Sequence, residues 1–141
     1  MRLSVPKDAR SEGKLVVIER AKGLAAYTLQ ITKNTAIFDP AQNEGFIDEI
    51  RRLAIEIFSM AWTANNIYVR TQRDAEERAR LQTSARINCN KLLPMIELAG
   101  KVFHLKTKRL KYWGAWVVEV RTRLQQWQDA DRKRYANMDN R

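Results

Sequence analysis

The chain has 141 residues, 45% of them apolar, enough for one domain that buries about two-thirds of its unfolded surface without a disulfide or a structural metal. Its formal charge is +10, from 26 Lys and Arg against 16 Asp and Glu, which points to a polyanionic partner. A single cysteine, Cys89, excludes an internal disulfide. No stretch nears eighteen uninterrupted apolar residues, so no membrane span is expected, and the charged N-terminus lacks the apolar core of a secretory signal, so the expected location is cytoplasmic.

Residues 1–13 read as a loose tail without periodicity. From Lys14 to Thr32, Leu15, Ile18, Leu24, Tyr27, Leu29 and Ile31 fit a helix that Gly23 weakens by about 1 kcal/mol relative to alanine. Residues 33–40 read as a loop. Asp39 and Pro40 form an N-cap and first-turn pair, and Gln42 completes a pattern like a capping box. Helix two is therefore expected to start near Pro40, or a little later near Glu44. Phe46, Ile50, Leu53, Ile57, Met60, Ala64 and Ile67 form a heptad seam. Ile47, Ala54, Phe58, Ala61 and Tyr68 widen it to a core-facing stripe.

The polar interval 70–80 predicts a turn and the exposed start of helix three. Leu81, Ala85, Cys89, Leu92, Ile96, Ala99 and Phe103 then continue the helical spacing. Pro94 inside this run is expected to kink the helix between Asn90 and Leu93. After a short turn at 104–107, helix four carries Leu110, Trp113, Val117, Val120, Leu124 and Trp127 on one seam, and residues 136–141 are expected to fray. No alternating apolar–polar run suggests a strand. The fold class that follows is all-α, an antiparallel up-down four-helix bundle over residues 14–135.

Side chains for catalysis are sparse. His104 and Cys89 stand alone of their kinds, without the four ligands, or three plus water, of a zinc site. Cys89 falls on the helix-three seam as a small apolar residue, and His104 reads as a helix-end residue. Asp48, Glu49 and Glu56 suit local ion pairs with Arg51 and Arg52 on a solvated helix face. No glycine-rich phosphate loop is present. The expectation is a protein with no catalytic residues, no metal and no cofactor.

The basic residues are the remaining signal. Residues 101–141 hold 11 basic and 4 acidic residues, whereas residues 44–100 hold 8 of each. Lys101, Lys106, Lys108, Arg109 and Lys111 crowd the start of helix four, Arg121 and Arg123 lie midway, and Arg132, Lys133 and Arg134 cluster near its end. Charge spread over the solvent side of a helix suits phosphate contact, which needs no sequence code. It also suits an acidic protein surface or plain solubility, and Arg132, Lys133 and Arg134 also complement the negative end of the helix. Trp113 and Trp127 sit on the seam as core residues. Tyr112, Trp116 and Trp62 lie off their seams, where they can stack on a base, anchor a subunit contact or pack at helix boundaries.

Three segments, ERAKGLAAYTLQITKN, IDEIRRLAIEIFSMAWTANNIYV and LKYWGAWVVEVRTRLQQWQDADRKRY, resemble the four-helix-bundle family, and within it the accessory variability determinant branch of diversity-generating retroelements. The resemblance covers about residues 14–135. It rests on helix lengths, the Trp-Gly-Ala-Trp segment at 113–116 and the ending Asp131-Arg132-Lys133-Arg134-Tyr135. Family members encoded in insertions within large-subunit ribosomal RNA genes carry Asn-Ile-Ala-Glu-Gly where this chain has Asn65-Asn66-Ile67-Tyr68-Val69. That departure favours the retroelement branch.

The resemblance implies a basic, homopentameric accessory protein. Such a protein binds a retroelement reverse transcriptase and its template RNA or DNA, and supports the mutagenic cDNA synthesis of retrohoming. It adds Arg73, Arg78, Arg80 and Arg86 at the start of helix three to the expected nucleic-acid-binding residues. The alternatives are a structural bundle that binds an acidic protein partner, or a bundle protein encoded within a ribosomal RNA insertion.

Overall fold

The computed structural model describes residues 5–140, with side chains for residues 16–138. It comprises α1 (Val5–Thr32), α2 (Glu44–Asn65), α3 (Gln72–Val102) and α4 (Thr107–Arg134), followed by a short 3-10 helix, Ala136–Asn140. No strand occurs among the described residues. Each helix packs on its neighbours in sequence, and α4 closes the ring on α1. Contacts near the helix ends fix the directions. The start of α4 meets the end of α1 where Trp113 Nε1 donates to Thr28 Oγ1 at 3.0 Å. The start of α3 meets the end of α4 where Arg78 Nε donates to Asp131 Oδ2 at 2.7 Å. The start of α2 meets the end of α1 where Arg51 Nη2 donates to the Thr32 carbonyl at 2.9 Å. The molecule is an antiparallel four-helix bundle, and no described helix is long and apolar enough to cross a membrane.

Most seam residues become the core, but the expected helix-two seam overruns the helix: α2 ends at Asn65, so Ile67 and Tyr68 lie in the connection to α3, and Tyr68 is 75% exposed rather than core-facing. On α2, Ile50, Leu53, Ile57 and Ala64 are buried. So are Ala85, Cys89, Leu92, Ile96 and Ala99 on α3, and Trp113, Val117, Val120, Leu124 and Trp127 on α4. Burying one such large aliphatic side chain contributes about 1.5–3 kcal/mol. On α1 the inner line is made largely of small and hydroxyl residues, Ala21, Ala25, Thr28 and Thr32, together with Val17, Ile18 and Leu24. Tyr27, Leu29 and Ile31, expected on that seam, are half-buried at its edges, and Leu15 lies outside the described side chains. The polar side chains of the inner line are satisfied, since Thr32 Oγ1 donates to the Thr28 carbonyl at 2.7 Å.

Several boundaries differ from the sequence reading. Helix α1 begins at Val5 rather than Lys14, so most of the expected tail is helical, and residues 1–4 lie outside the described residues. Asp39 does not cap α2. Its Oδ1 accepts from Ala41 N at 3.0 Å, closing a local turn over two residues, and α2 starts at Glu44, the later of the two expected positions, behind Asn43 and without a side-chain cap. The interval 70–80 holds the expected start of α3, at Gln72, where Thr71 and Asp74 form a capping box, and only Arg70 and Thr71 of it lie outside the helix. Pro94 lies within α3, which stays one helix from Gln72 to Val102. Pro94 and Asn90 are exposed, so the Asn90 carbonyl that loses its partner to proline can be met by water. The last described residues, Ala136–Asn140, form the 3-10 helix, with Arg141 outside the described residues.

Helix α3 stops at Val102 in a compact turn. Leu105 N donates to the Gly100 carbonyl at 3.0 Å, and His104 takes a left-handed conformation, φ 55°, the residue position after a C-cap that favours glycine. Beneath this turn lies an aromatic cluster. Phe38, a loop residue only 1% exposed, has its ring centroid 4.9 Å from Phe103 and 6.1 Å from Trp113, and Phe46 stacks on Phe103 at 6.1 Å.

Candidate nucleic-acid interface

The sequence-predicted cations divide into three groups. The first is inside the protein. Arg78 is 3% exposed. Its Nε and Nη2 bond Asp131 at 2.7 and 3.3 Å, its Nη1 donates to the Ile67 carbonyl at 3.3 Å, and its guanidinium lies 5.1 Å from the centre of the Trp127 ring. Asp131 also accepts from Gln82 Nε2 at 2.8 Å and lies 3.7 Å from Arg134. The assignment of Arg78 to a phosphate-binding surface is therefore corrected. It is a structural cation at the polar end of the core, out of reach of a phosphate.

The second group is on the surface but engaged. Arg80 pairs with Glu77 at 2.7 Å, Arg132 with Asp129 at 2.9 Å, and Arg123 with Glu119. Such surface pairs contribute about 0–1 kcal/mol, yet while they hold, the local charge is cancelled. The Arg80 guanidinium holds the Glu77 carboxyl below its usual range. Arg86 Nη1 donates to Gln128 Oε1 at 2.6 Å and Arg121 Nη1 to Asn90 Oδ1 at 3.0 Å, both neutral partners.

The third group is Lys101, Lys106, Lys108, Arg109 and Lys111, at the corner where α3 turns into α4. None of them forms an ion pair among the described residues, and no carboxylate occurs between positions 101 and 111. The four lysines are exposed and Arg109 is half-buried, next to Tyr27, whose hydroxyl is pushed up by burial against the opposing pull of Arg109. Lys133 and Arg73, exposed near the opposite end, likewise have no ion pair among the described residues.

The backbone adds to this corner. Helix α4 begins behind Lys106, with no side-chain cap and no acid in its first turn. Its first amides have no partner of their own within the helix, and they form the positive end of the helix dipole. Stability alone favours the reverse arrangement, which α3 shows. There, Asp74 accepts from the amides of Arg70 and Thr71 at 3.0 and 3.1 Å, and these bonds hold its carboxyl below its usual range. The sequence shows the lack of acid in Lys106-Thr107-Lys108-Arg109, but not the missing cap: Thr107 is itself a favoured N-cap residue, and only the structure shows the helix starting one residue earlier, behind Lys106, without a side-chain cap.

The aromatic candidates also separate. Trp113 and Trp127 are core residues. Trp116 is half-buried over Gly23, where a Cβ would come within 2.7 Å of the indole. Tyr112 is 55% exposed and meets Tyr27 edge-on at 5.1 Å, which puts an accessible ring beside Lys108, Arg109 and Lys111. Trp62, 51% exposed, leans on Phe58 at 6.1 Å. Cys89 is fully buried, and burial pushes its thiol up to about 12 against the smaller pull of Arg121 and Arg86. No group of three His, Cys, Asp or Glu side chains among the described residues is placed to hold a metal ion.

Fold and site together define an antiparallel four-helix bundle with one cationic, uncapped corner. Comparison with protein-family models, curated proteins and solved structures finds no match to the chain.

Proposed function

We propose that the protein is a non-catalytic nucleic-acid-binding accessory protein that holds phosphodiester backbones at the α3–α4 corner. The observation that carries this reading is the uncapped start of α4, whose first residues include Lys106, Lys108, Arg109 and Lys111 and no acid. Amides and cations converging on a helix start form an anion site. Like charges gathered there are unfavourable for the protein alone, and an arriving phosphate relieves them. The exposed Tyr112 ring adds a surface on which a base can stack. In keeping with the retroelement resemblance, the proposed partners are a reverse transcriptase and its template RNA or DNA in mutagenic retrohoming, with the chain acting as a homo-oligomer.

The test is binding of short RNA and DNA by fluorescence anisotropy across salt concentration. The expected result is weak sequence preference and a steep loss of affinity with salt, about 10³- to 10⁵-fold between 50 and 200 mM if six to ten phosphates are neutralised. The Lys108→Glu, Arg109→Glu, Lys111→Glu triple variant is expected to lose binding while keeping its helical circular dichroism. Unchanged retention of both nucleic acids by that variant overturns the assignment of the corner. No retention of any nucleic acid by the wild type favours an acidic protein as the partner.

A further inference from the structure

Between the middle of α3 and the middle of α4 lies a cleft of about 370 Å³, lined by Arg86, Asn90, Arg121, Thr122, Gln125 and Gln126. No carboxylate lines it. In the sequence Arg86 and Arg121 belong only to a diffuse basic surface, but the fold brings them from two helices to one cleft and holds each by a neutral amide. Arg86 Nη1 donates to Gln128 Oε1 at 2.6 Å. Gln128 is itself fixed, because its Nε2 donates to the Ala79 carbonyl at 3.1 Å and to Thr83 Oγ1 at 2.7 Å. Arg121 Nη1 donates to Asn90 Oδ1 at 3.0 Å. An amide oxygen orients a guanidinium without cancelling its charge, unlike the carboxylates that hold Arg80, Arg123 and Arg132. Both charges act at one place, since both pull on the buried Cys89 thiol. The acid linked to this cleft, Asp129, is already engaged by Gln125 Nε2 at 3.0 Å and Arg132 Nη1 at 2.9 Å. Arg86 Nε is enclosed, out of a ligand's reach. Arg86 Nη2 and the Nε and Nη2 of Arg121 are not enclosed, and they have no partner among the described residues.

We propose that this cleft takes a phosphate monoester, the terminal phosphate of a nucleic-acid strand. The strand as its source rests on the nucleic-acid reading above, whereas the phosphate rests on the cleft alone. A phosphate monoester carries a charge of about −1.5 to −2 at neutral pH and three strong acceptor oxygens, which match two guanidiniums contributed by two helices. An internucleotide phosphodiester or a carboxylate carries a single charge and two free oxygens, and leaves one arginine unmatched. Arginine meets phosphate through paired N–H groups, and the Thr122 hydroxyl adds a donor beside them. The volume falls in the range of roughly 300–1,000 Å³ typical of small-ligand sites, so the terminal sugar can follow its phosphate in. Because amides already orient both guanidiniums, capture orders little that was free. Arg121 lies about 15 Å along α4 from Lys111, at about 1.5 Å per residue. A strand held here by its end can therefore run on to the cationic corner, which grips its backbone without regard to where the strand begins.

The closing experiment has two arms on the full chain. In the first, inorganic phosphate, adenosine 5′-monophosphate and adenosine are titrated while the side-chain amides of Asn90, Gln125 and Gln126 are followed by ¹H–¹⁵N NMR. Shifts with phosphate and the monophosphate but not with adenosine are expected. They should vanish in Arg121→Gln and in Thr122→Asp, an exposed position where the new carboxylate repels the ligand, with helical circular dichroism unchanged in both. They should persist in the Lys108→Glu, Arg109→Glu, Lys111→Glu variant. No shift with phosphate or the monophosphate overturns the site, and loss of the shifts in the triple variant overturns it as a site separate from the corner. In the second arm, strands of one sequence, phosphorylated at the 5′ end, at the 3′ end or at neither, are compared by anisotropy. The expected preference for one of the phosphorylated strands is about tenfold, the scale of a hydrogen bond to a charged group, and it disappears in Arg121→Gln while the salt slope persists. Equal affinity for all three in the wild type overturns the strand end as the ligand, whatever the corner does. Phosphate shifts without any oligonucleotide binding overturn the nucleic-acid reading, and the strand end with it, but not the phosphate site.

Discussion

Arg78 and Asp131, 53 positions apart in sequence, meet inside the bundle with their side chains 4% and 8% exposed and their nearest atoms 2.7 Å apart. The pair ties the first turns of α3 to the last turn of α4. Desolvating two charges is costly, and removing one partner leaves the other uncompensated. Asp131→Asn is therefore expected to destabilise the protein by about 3–5 kcal/mol, read as a lower midpoint in urea unfolding. The double variant Arg78→Met, Asp131→Leu, which removes both charges, should recover most of that loss. A double variant no more stable than the single one would show that the ion pair is not the source of the effect.

Gly23 and Trp116 give a second prediction. On helix propensity alone, Gly23→Ala gains about 1 kcal/mol. The new Cβ, however, would lie 2.7 Å from the Trp116 ring, and overpacking costs about 1–3 kcal/mol. Gly23→Ala is expected to lower the thermal midpoint, whereas in a Trp116→Leu background the same change should raise it. The sign reversal in this double-mutant cycle is the measurement.

His104 occupies a left-handed backbone position where a side chain costs about 1–2 kcal/mol. His104→Gly is expected to stabilise the bundle by about 1 kcal/mol after the added freedom of glycine in the unfolded chain is counted. Denaturant titration reads this directly, and His104→Ala should not reproduce the gain.

Cys89 provides a pH prediction. Its thiol is pushed up to about 12 in the folded protein by burial, above its value of about 8.5 in an unfolded chain. A raised value means the folded state holds the proton longer. The contribution of this group is complete below about pH 8.5 and is lost as pH rises toward 12, with a limiting slope of about 1.4 kcal/mol per pH unit. Tyrosines and lysines titrate in the same window, so the readout is the difference between wild type and Cys89→Ala, which should flatten the decline. In native buffer the thiol should also resist alkylation and react only on unfolding.

The seams were legible because each helix buries one face. The spacing of Ile50, Leu53, Ile57 and Ala64, or of Trp113, Val117, Val120 and Leu124, states that face directly, and all eight are buried. The polar interval 70–80 misled because apolar periodicity is silent where the core itself is polar. Arg78 and Gln82 occupy inward positions, and their partner Asp131 lies beyond any local window. Phe38 was hidden for a related reason, since a loop residue enters no helical period although it is buried at the bundle end. For the candidate site, the surplus of cations on 101–111 was readable by counting. Which of the other cations hold carboxylates was readable from local spacing for Arg80, Arg123 and Arg132, whose partners lie three or four residues away on the same helix, but not for Arg78. Arg123 finds Glu119 on its own helix, while Arg78 finds Asp131 only through the fold.

The aromatic cluster of Phe38, Phe46, Phe103 and Trp113 underlies the turn that carries the unpaired lysines. On the proposed reading, the backbone amides at the start of α4 are held in place by this packing before an anion arrives, so their part of the capture forfeits little conformational freedom, and hollowing the footing, as Phe38→Ala does, should weaken binding without removing a single charge.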